Sequence, residues 1–238
     1  MLWIYPDLES LSHAAADLFI RQAKECVQAR GRFSVALSGG RTPRRTYELL
    51  AQPPYRDRID WPRMVVFWGD ERCVPSNDPR SNARLAREAL LDHVPIPAAQ
   101  INPILCQASP EEGAKGYEAL LRNFFQNGPP TLDLIFLGLG ADGHTASLFP
   151  GSPALKEQTR WVAAVFREEE TLGRVTLTPP FINQARAVAF LVAGADKAET
   201  LRHILQPPPD AFPLPARLIN PASGQLHWLV DRAAAMRL

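Results

Sequence analysis

Short apolar runs that alternate with helical patterns point to an α/β protein: a doubly wound, mostly parallel sheet with helices on both faces, a Rossmann-like α/β/α sandwich. Three observations carry this. Runs rich in Val, Ile, Leu and Phe recur along the 238 residues. Stretches with a helical period lie between them. Several runs are apolar at every position, as strands covered on both faces require. Strands alternating with helices build parallel sheets.

Strands are expected near Phe33–Leu37, Met64–Trp68, Ile101–Ile104, Leu132–Leu137, Trp161–Phe166, Arg174–Thr178, Ala187–Ala193 and Leu226–Val230. A first helix follows from Leu11, Ala15, Leu18, Phe19 and Val27, with Gly31 as its stop. A second follows Thr42-Pro43, with Thr42 as N-cap, and runs through Leu50. A third begins near Asn82. Ser109-Pro110-Glu111-Glu112 is a capping box, so a helix starts there and runs to about Asn127. The last spans Ala195–Leu205, closed by Pro207-Pro208-Pro209. With no internal repeat and no separating linker, residues 1–238 read as a single domain.

Composition excludes several function classes. Hydrophobic residues make up 46% and charged residues 21%, which is ordinary for a globular chain and not for a disordered one. The formal charge is +1, so the basic excess of a nucleic-acid or membrane-surface binder is missing, although a local basic pocket is compatible with it. No apolar run approaches the ~18 residues of a membrane span, and the first residues lack the pattern of a signal peptide. Cys26, Cys73 and Cys106 are odd in number and scattered. That argues against a disulfide framework and a Cys-based zinc site, and favours a reducing cytoplasm. The 23 prolines, about twice the usual share, fall in loops and at helix starts.

In open α/β sheets ligands bind beyond the carboxyl ends of the strands, so the loops that follow the strands are where chemistry belongs. Ser38-Gly39-Gly40-Arg41-Thr42-Pro43 follows the Phe33–Leu37 run. Two glycines allow close backbone approach, and a helix start favours an anion such as phosphate. The loop lacks the Gly-Lys-Ser/Thr ending of a P-loop, and read alone it is equally an ordinary tight turn. Asp70-Glu71-Arg72 follows Met64–Trp68, either as a solvated ion-pair loop or as a site in which Arg72 meets charge developing on a carbonyl oxygen. Gly138-Leu139-Gly140-Ala141-Asp142-Gly143-His144 follows Leu132–Leu137. Its glycines imitate a dinucleotide motif, but Pro150, Gly151 and Pro153 leave room for only about two helical turns after it. The loop reads better as presenting Asp142 and His144, an imidazole for proton transfer with a carboxylate beside it. Two ligands make no zinc site, and no nucleophile elbow occurs. Arg174, opening its strand, and Lys197, at a strand-to-helix turn, could add fixed positive charge to a phosphate site.

Taken together, Ser38–Pro43, Phe67-Trp68-Gly69-Asp70-Glu71-Arg72-Cys73-Val74-Pro75, Ser81-Asn82, Gly138–Pro150 and Arg174-Val175-Thr176-Leu177-Thr178 occur in the order found in one family. The chain resembles the 6-phosphogluconolactonases over nearly its whole length. It resembles more widely the group that includes glucosamine-6-phosphate deaminase. Deaminases carry a Glu five residues after the His; here that position is Phe149. The resemblance implies hydrolysis of 6-phospho-D-glucono-1,5-lactone to 6-phosphogluconate, the second step of the oxidative pentose phosphate pathway. It implies His144 as general base, Arg72 at the oxyanion, and Asp142 either orienting the imidazole or helping to hold the sugar. It implies that Ser38, Gly39, Gly40, Thr42, Arg174 and Lys197 hold the 6-phosphate, with Arg41 and Asp70 as further contributors. No metal or organic cofactor, no nucleic acid or membrane and no obligate protein partner is implied. The competing readings are a sugar-phosphate isomerase or deaminase of the same fold, and a non-catalytic sugar-phosphate sensor, for which no DNA-reading module is visible.

Overall fold

The structure, a computed structural model, describes every residue except Gln107, Asn127, 168–171 and 209–212. In chain order the elements are β1 (Leu2–Tyr5), α1 (Leu8–Arg30), β2 (Phe33–Leu37), α2 (Arg41–Leu50), β3 (Met64–Trp68), β4 (Asp70–Arg72), α3 (Asn82–Ala89), α4 (Pro110–Phe125), β5 (Leu134–Leu137), β6 (Val162–Val165), β7 (Arg174–Leu177), α5 (Pro179–Ile182), β8 (Ala187–Val192), α6 (Ala198–Leu205) and β9 (Gln225–Asp231). Local signals set several boundaries. Asp7 caps α1 by accepting from the Ser10 N–H, and Gly31 closes it. Ser81 accepts from the Arg84 N–H at the start of α3, and Ser109 from the Glu112 N–H at the start of α4. The expected end of α4 near Asn127 lies outside the described residues.

Six strands form one parallel sheet in the order β1-β9-β8-β5-β2-β3. Every residue of β2, β5 and β8 is buried, which is why their sequences show no alternation. In register, Leu37 lies beside Trp68, and Leu137 beside Phe190. The strands therefore end within a few residues of one another, and the loops that follow them leave from one edge. A single continuous core runs from Leu11 to Ala234. Among the described residues no helix is long and apolar enough to cross a membrane.

Four local expectations need correction. Ile101–Ile104 is no strand: only Ile101 bridges to Val66, because Pro103 interrupts the run. The runs near Trp161 and Arg174 are strands, but they form with β4 a separate antiparallel sheet in the order β4-β7-β6. No helix follows His144; Thr145 bridges to Leu148 and tight turns lead to Pro150. Cys73 and Cys106, far apart in sequence, are joined in a disulfide with Cα atoms 5.1 Å apart, while Cys26 is a buried thiol. The bridge pins the end of β4 to the approach to α4. It spans 33 residues, so closing that loop stabilises the fold by up to about 4 kcal/mol on the chain-entropy account. Cys73→Ser and Cys106→Ser are each expected to lose most of this, measured by urea unfolding with and without reductant.

Candidate active site at the carboxyl edge of the sheet

The loops after β2, β3, β5 and β8 enclose a cleft of about 270 Å³. Its floor is the Ser38–Thr42 loop. Gly40 has φ +104°, a conformation that side chains rarely adopt, so the turn into α2 needs glycine there. The helix begins at Arg41, capped by Gly40, two residues before the expected Thr42 cap. Its first-turn amides have no partner within the helix, as at any helix start. Behind the loop stands Tyr47, fully buried, whose hydroxyl accepts from the Ser38 N–H at 2.9 Å and donates to the Ser38 carbonyl at 2.8 Å. Burial pushes this phenol well above its ordinary pKa, so it stays a donor. Tyr117 makes the same pair of bonds to Trp68 at the end of β3.

One wall is Asp70–Arg72. Asp70 is buried and accepts from Ser147 Oγ at 2.7 Å and from Asn82 Nδ2 at 3.2 Å. Glu71 turns the other way and accepts from the N–H groups of Arg72, Asn82 and Ala83 and from Ser81 Oγ. Burial pushes its carboxyl above the ordinary value, four donors notwithstanding. It is an anchor for the start of α3 and does not line the cleft. Arg72 gives one Nη1 bond to the Arg80 carbonyl, and its buried Nε–H has no hydrogen-bond partner among the described residues. Its cross-strand neighbour is Arg174. Two guanidinium-bearing residues thus share one rung at the cleft.

The opposite wall is the histidine loop. Gly140 N–H donates to the His144 carbonyl at 2.8 Å, Thr145 Oγ1 to the Gly138 carbonyl at 2.9 Å, and Thr200 Oγ1 of α6 to the Ala141 carbonyl at 2.5 Å. These bonds fix the loop on both sides of His144. The imidazole Nδ1 lies 2.5 Å from Asp142 Oδ1, which also accepts the His144 backbone N–H. Burial raises the Asp142 carboxyl, but the hydrogen bonds from His144 outweigh this and hold it below its ordinary value. It remains a carboxylate at neutral pH. Phe149 packs on the other side of the imidazole, ring centroids 4.5 Å apart, and the Arg174 guanidinium sits 5.1 Å from the same phenyl ring.

Lys197 closes the far end, its side chain 22% exposed and 3.0 Å from Asp196. That bond lowers the Asp196 carboxyl. Every residue expected at the site lines this cleft except Asp142, which reaches it through His144 and faces a neighbouring hollow. Nothing in the sequence by itself gives Tyr47 or Asn82 a role at the cleft. A Tyr on the apolar face of a helix reads as core, and an Asn after a capping Ser reads as an ordinary first turn.

Fold and cleft together are those of one family, and the chain belongs to it: the glucosamine-6-phosphate isomerases/6-phosphogluconolactonase family, whose model matches residues 6–228. Within it the similarity runs to lactonases. A 6-phosphogluconolactonase of Synechocystis sp. is 46% identical over 90% of this chain and 88% of its own length. One of Nostoc sp. is 40% identical over 99% and 97%. Among solved structures, the 6-phosphogluconolactonase of Trypanosoma brucei is 31% identical with a TM-score of 0.87, covering 100% of this chain and 98% of that one. A monomeric glucosamine-6-phosphate deaminase, 21% identical with a TM-score of 0.84, shares the fold.

Proposed function

We propose that the chain is a 6-phosphogluconolactonase and that His144 is its general base. The observation that carries this reading is the presence, in one cleft, of a carboxylate-held imidazole and a glycine-rich helix-start loop flanked by cations. The 6-phosphate is held by Ser38, Gly39, Gly40, Thr42 and Lys197, with Arg41 and Arg174 beside them. Asp142 fixes the imidazole through Nδ1, which leaves Nε2 to take a proton from water. The water oxygen bonds to C1 of the lactone, and the carbonyl electron pair moves onto its oxygen. Arg72, whose side chain lines the cleft, meets that oxyanion with its guanidinium. The tetrahedral intermediate then breaks its C1–O5 bond. O5 takes the proton back from His144, and the products are 6-phosphogluconate and an enzyme in its starting state. A base supplies ~10²–10⁴-fold and one oxyanion donor ~10²–10³-fold. Anchoring the remote phosphate fixes C1 against the base.

Phe149 supports the lactonase over the deaminase reading, since it presents a phenyl ring to His144 where the resemblance gives deaminases a carboxylate. Purified protein is expected to hydrolyse 6-phospho-D-glucono-1,5-lactone well above the spontaneous rate. Lys197→Ala is expected to raise KM by about 10- to 100-fold with a smaller change in kcat, the loss of one charged hydrogen bond. Steady-state kinetics with the spontaneous rate subtracted would check both. Ammonia release from glucosamine 6-phosphate, or ligand-induced stabilisation without turnover, would overturn the reading.

A further inference from the structure

Asn82 is 2% exposed, yet it reaches the cleft. Its Nδ2 donates to the Asp70 carbonyl at 2.9 Å and to the Asp70 carboxylate at 3.2 Å. Its backbone N–H is held by Glu71 at 2.7 Å. Its Oδ1 is buried without a hydrogen-bond partner among the described residues and is pressed against Gly39, where a Cβ would stand 1.8 Å from it. From Asp70 the chain of contacts continues to Ser147 Oγ at 2.7 Å, three residues past His144. Gly39, half-buried, and the buried Asn82, Asp70 and Ser147 thus link the loops after β2, β3 and β5.

We propose that Asn82 is a positioning residue that sets the separation between the phosphate loop and the loop carrying the general base. This inference rests on the lactonase reading. Only a carboxamide suits the position. One end donates to a carboxylate, which an Asp could not do without placing two acids together. The other end is a wall that takes no hydrogen and lets a glycine backbone lie against it. Leaving a buried oxygen unpaired is unfavourable, so the geometry it enforces is its contribution. The same contact gives Gly39 its reason, because any side chain there displaces either the loop or the amide. Asp70, with its carboxylate occupied by Asn82 and Ser147, acts in this chain and holds the wall in place.

The test is a double-mutant cycle of Gly39→Ala and Asn82→Ala, read as KM and kcat for the lactone, Ki for inorganic phosphate, and Tm. Each single variant is expected to raise KM and the phosphate Ki by about tenfold and to lower kcat. In the double variant the methyl occupies space that the amide has vacated, so the combined loss stays close to that of one single variant. Asn82→Asp is expected to do worse than Asn82→Ala in kcat. Fully multiplicative effects would overturn the proposal, and so would Asn82→Ala with a lowered Tm but wild-type KM, kcat and Ki. If Asn82→Ala fails to fold, Ser147→Ala carries the test. It lies at the other end of the chain, yet it is expected to weaken phosphate inhibition, and an unchanged Ki would sink the linkage. Wild-type protein without lactone turnover would overturn the functional reading instead, while thermal protection by inorganic phosphate across the same variants would still decide the role of Asn82.

Discussion

His144→Ala is expected to lower kcat by about 10²–10⁴-fold with KM and Tm close to wild type. The size follows from the role: a positioned base removes a proton in the transition state, and without it water must attack unassisted. The retained KM follows from the layout. On the proposed reading the phosphate is gripped by the Ser38–Thr42 loop and Lys197, and the hydrogen bonds that hold Ser38 and Lys197 run to Tyr47 and Asp196, not through the imidazole. The retained fold follows from exposure and anchoring. The imidazole is 31% exposed, and the loop is tied by the main chain of Gly140 and by Thr145 and Thr200. Kinetics at saturating lactone, together with thermal unfolding, would separate these statements. A tenfold rise in KM with kcat intact would mean that the ring binds substrate and takes no proton, and the base assignment would fall.

Gly140→Ala is the second large effect, expected to cost kcat about 10²-fold. A Cβ on Gly140 would stand 2.1 Å from His144 Nδ1, 2.3 Å from Cε1 and 2.6 Å from Asp142 Oδ1. No such contact survives, so the imidazole must swing off its carboxylate. Gly140 does not need a left-handed backbone, which keeps the loss in catalysis and away from stability. The comparison that decides is Gly140→Ala against Gly140→Ala/His144→Ala. If displacement of the imidazole is the whole effect, the second change adds little to the first. A Gly140→Ala enzyme with wild-type kcat would show that the ring needs no fixed place.

The main sheet was legible because β2, β3, β5 and β8 are apolar enough to announce burial on both faces, and the serine-capped α3 and α4 stand between β3 and β5. β1 was not legible. Its four residues before Pro6 are half exposed and carry no period. β4 was hidden more thoroughly, because Asp70-Glu71-Arg72 is a charged triplet that becomes a strand only by pairing with β7. Tertiary pairing decides there, against intrinsic preference. The same pairing explains the disulfide: it carries Cys73 toward Cys106, a proximity that spacing alone does not reveal. The site loops were legible because glycine clusters after buried strands have few other uses. The contacts that hold those loops, Tyr47 behind Ser38 and Asn82 against Gly39, were not. Each is a side chain of ordinary type whose partner lies on a different element.

The order of the strands also governs when this enzyme can first work. Parallel neighbours are joined by long excursions of chain, and Ala36 finds Ile135 beside it while Phe136 finds Ala189. On the proposed reading, no early, locally formed fragment contains the phosphate loop, His144 and Lys197 together. Recovery of turnover after dilution from denaturant should therefore trail the return of helical signal, since it waits for β8 to dock beside β5 and bring Lys197 with it.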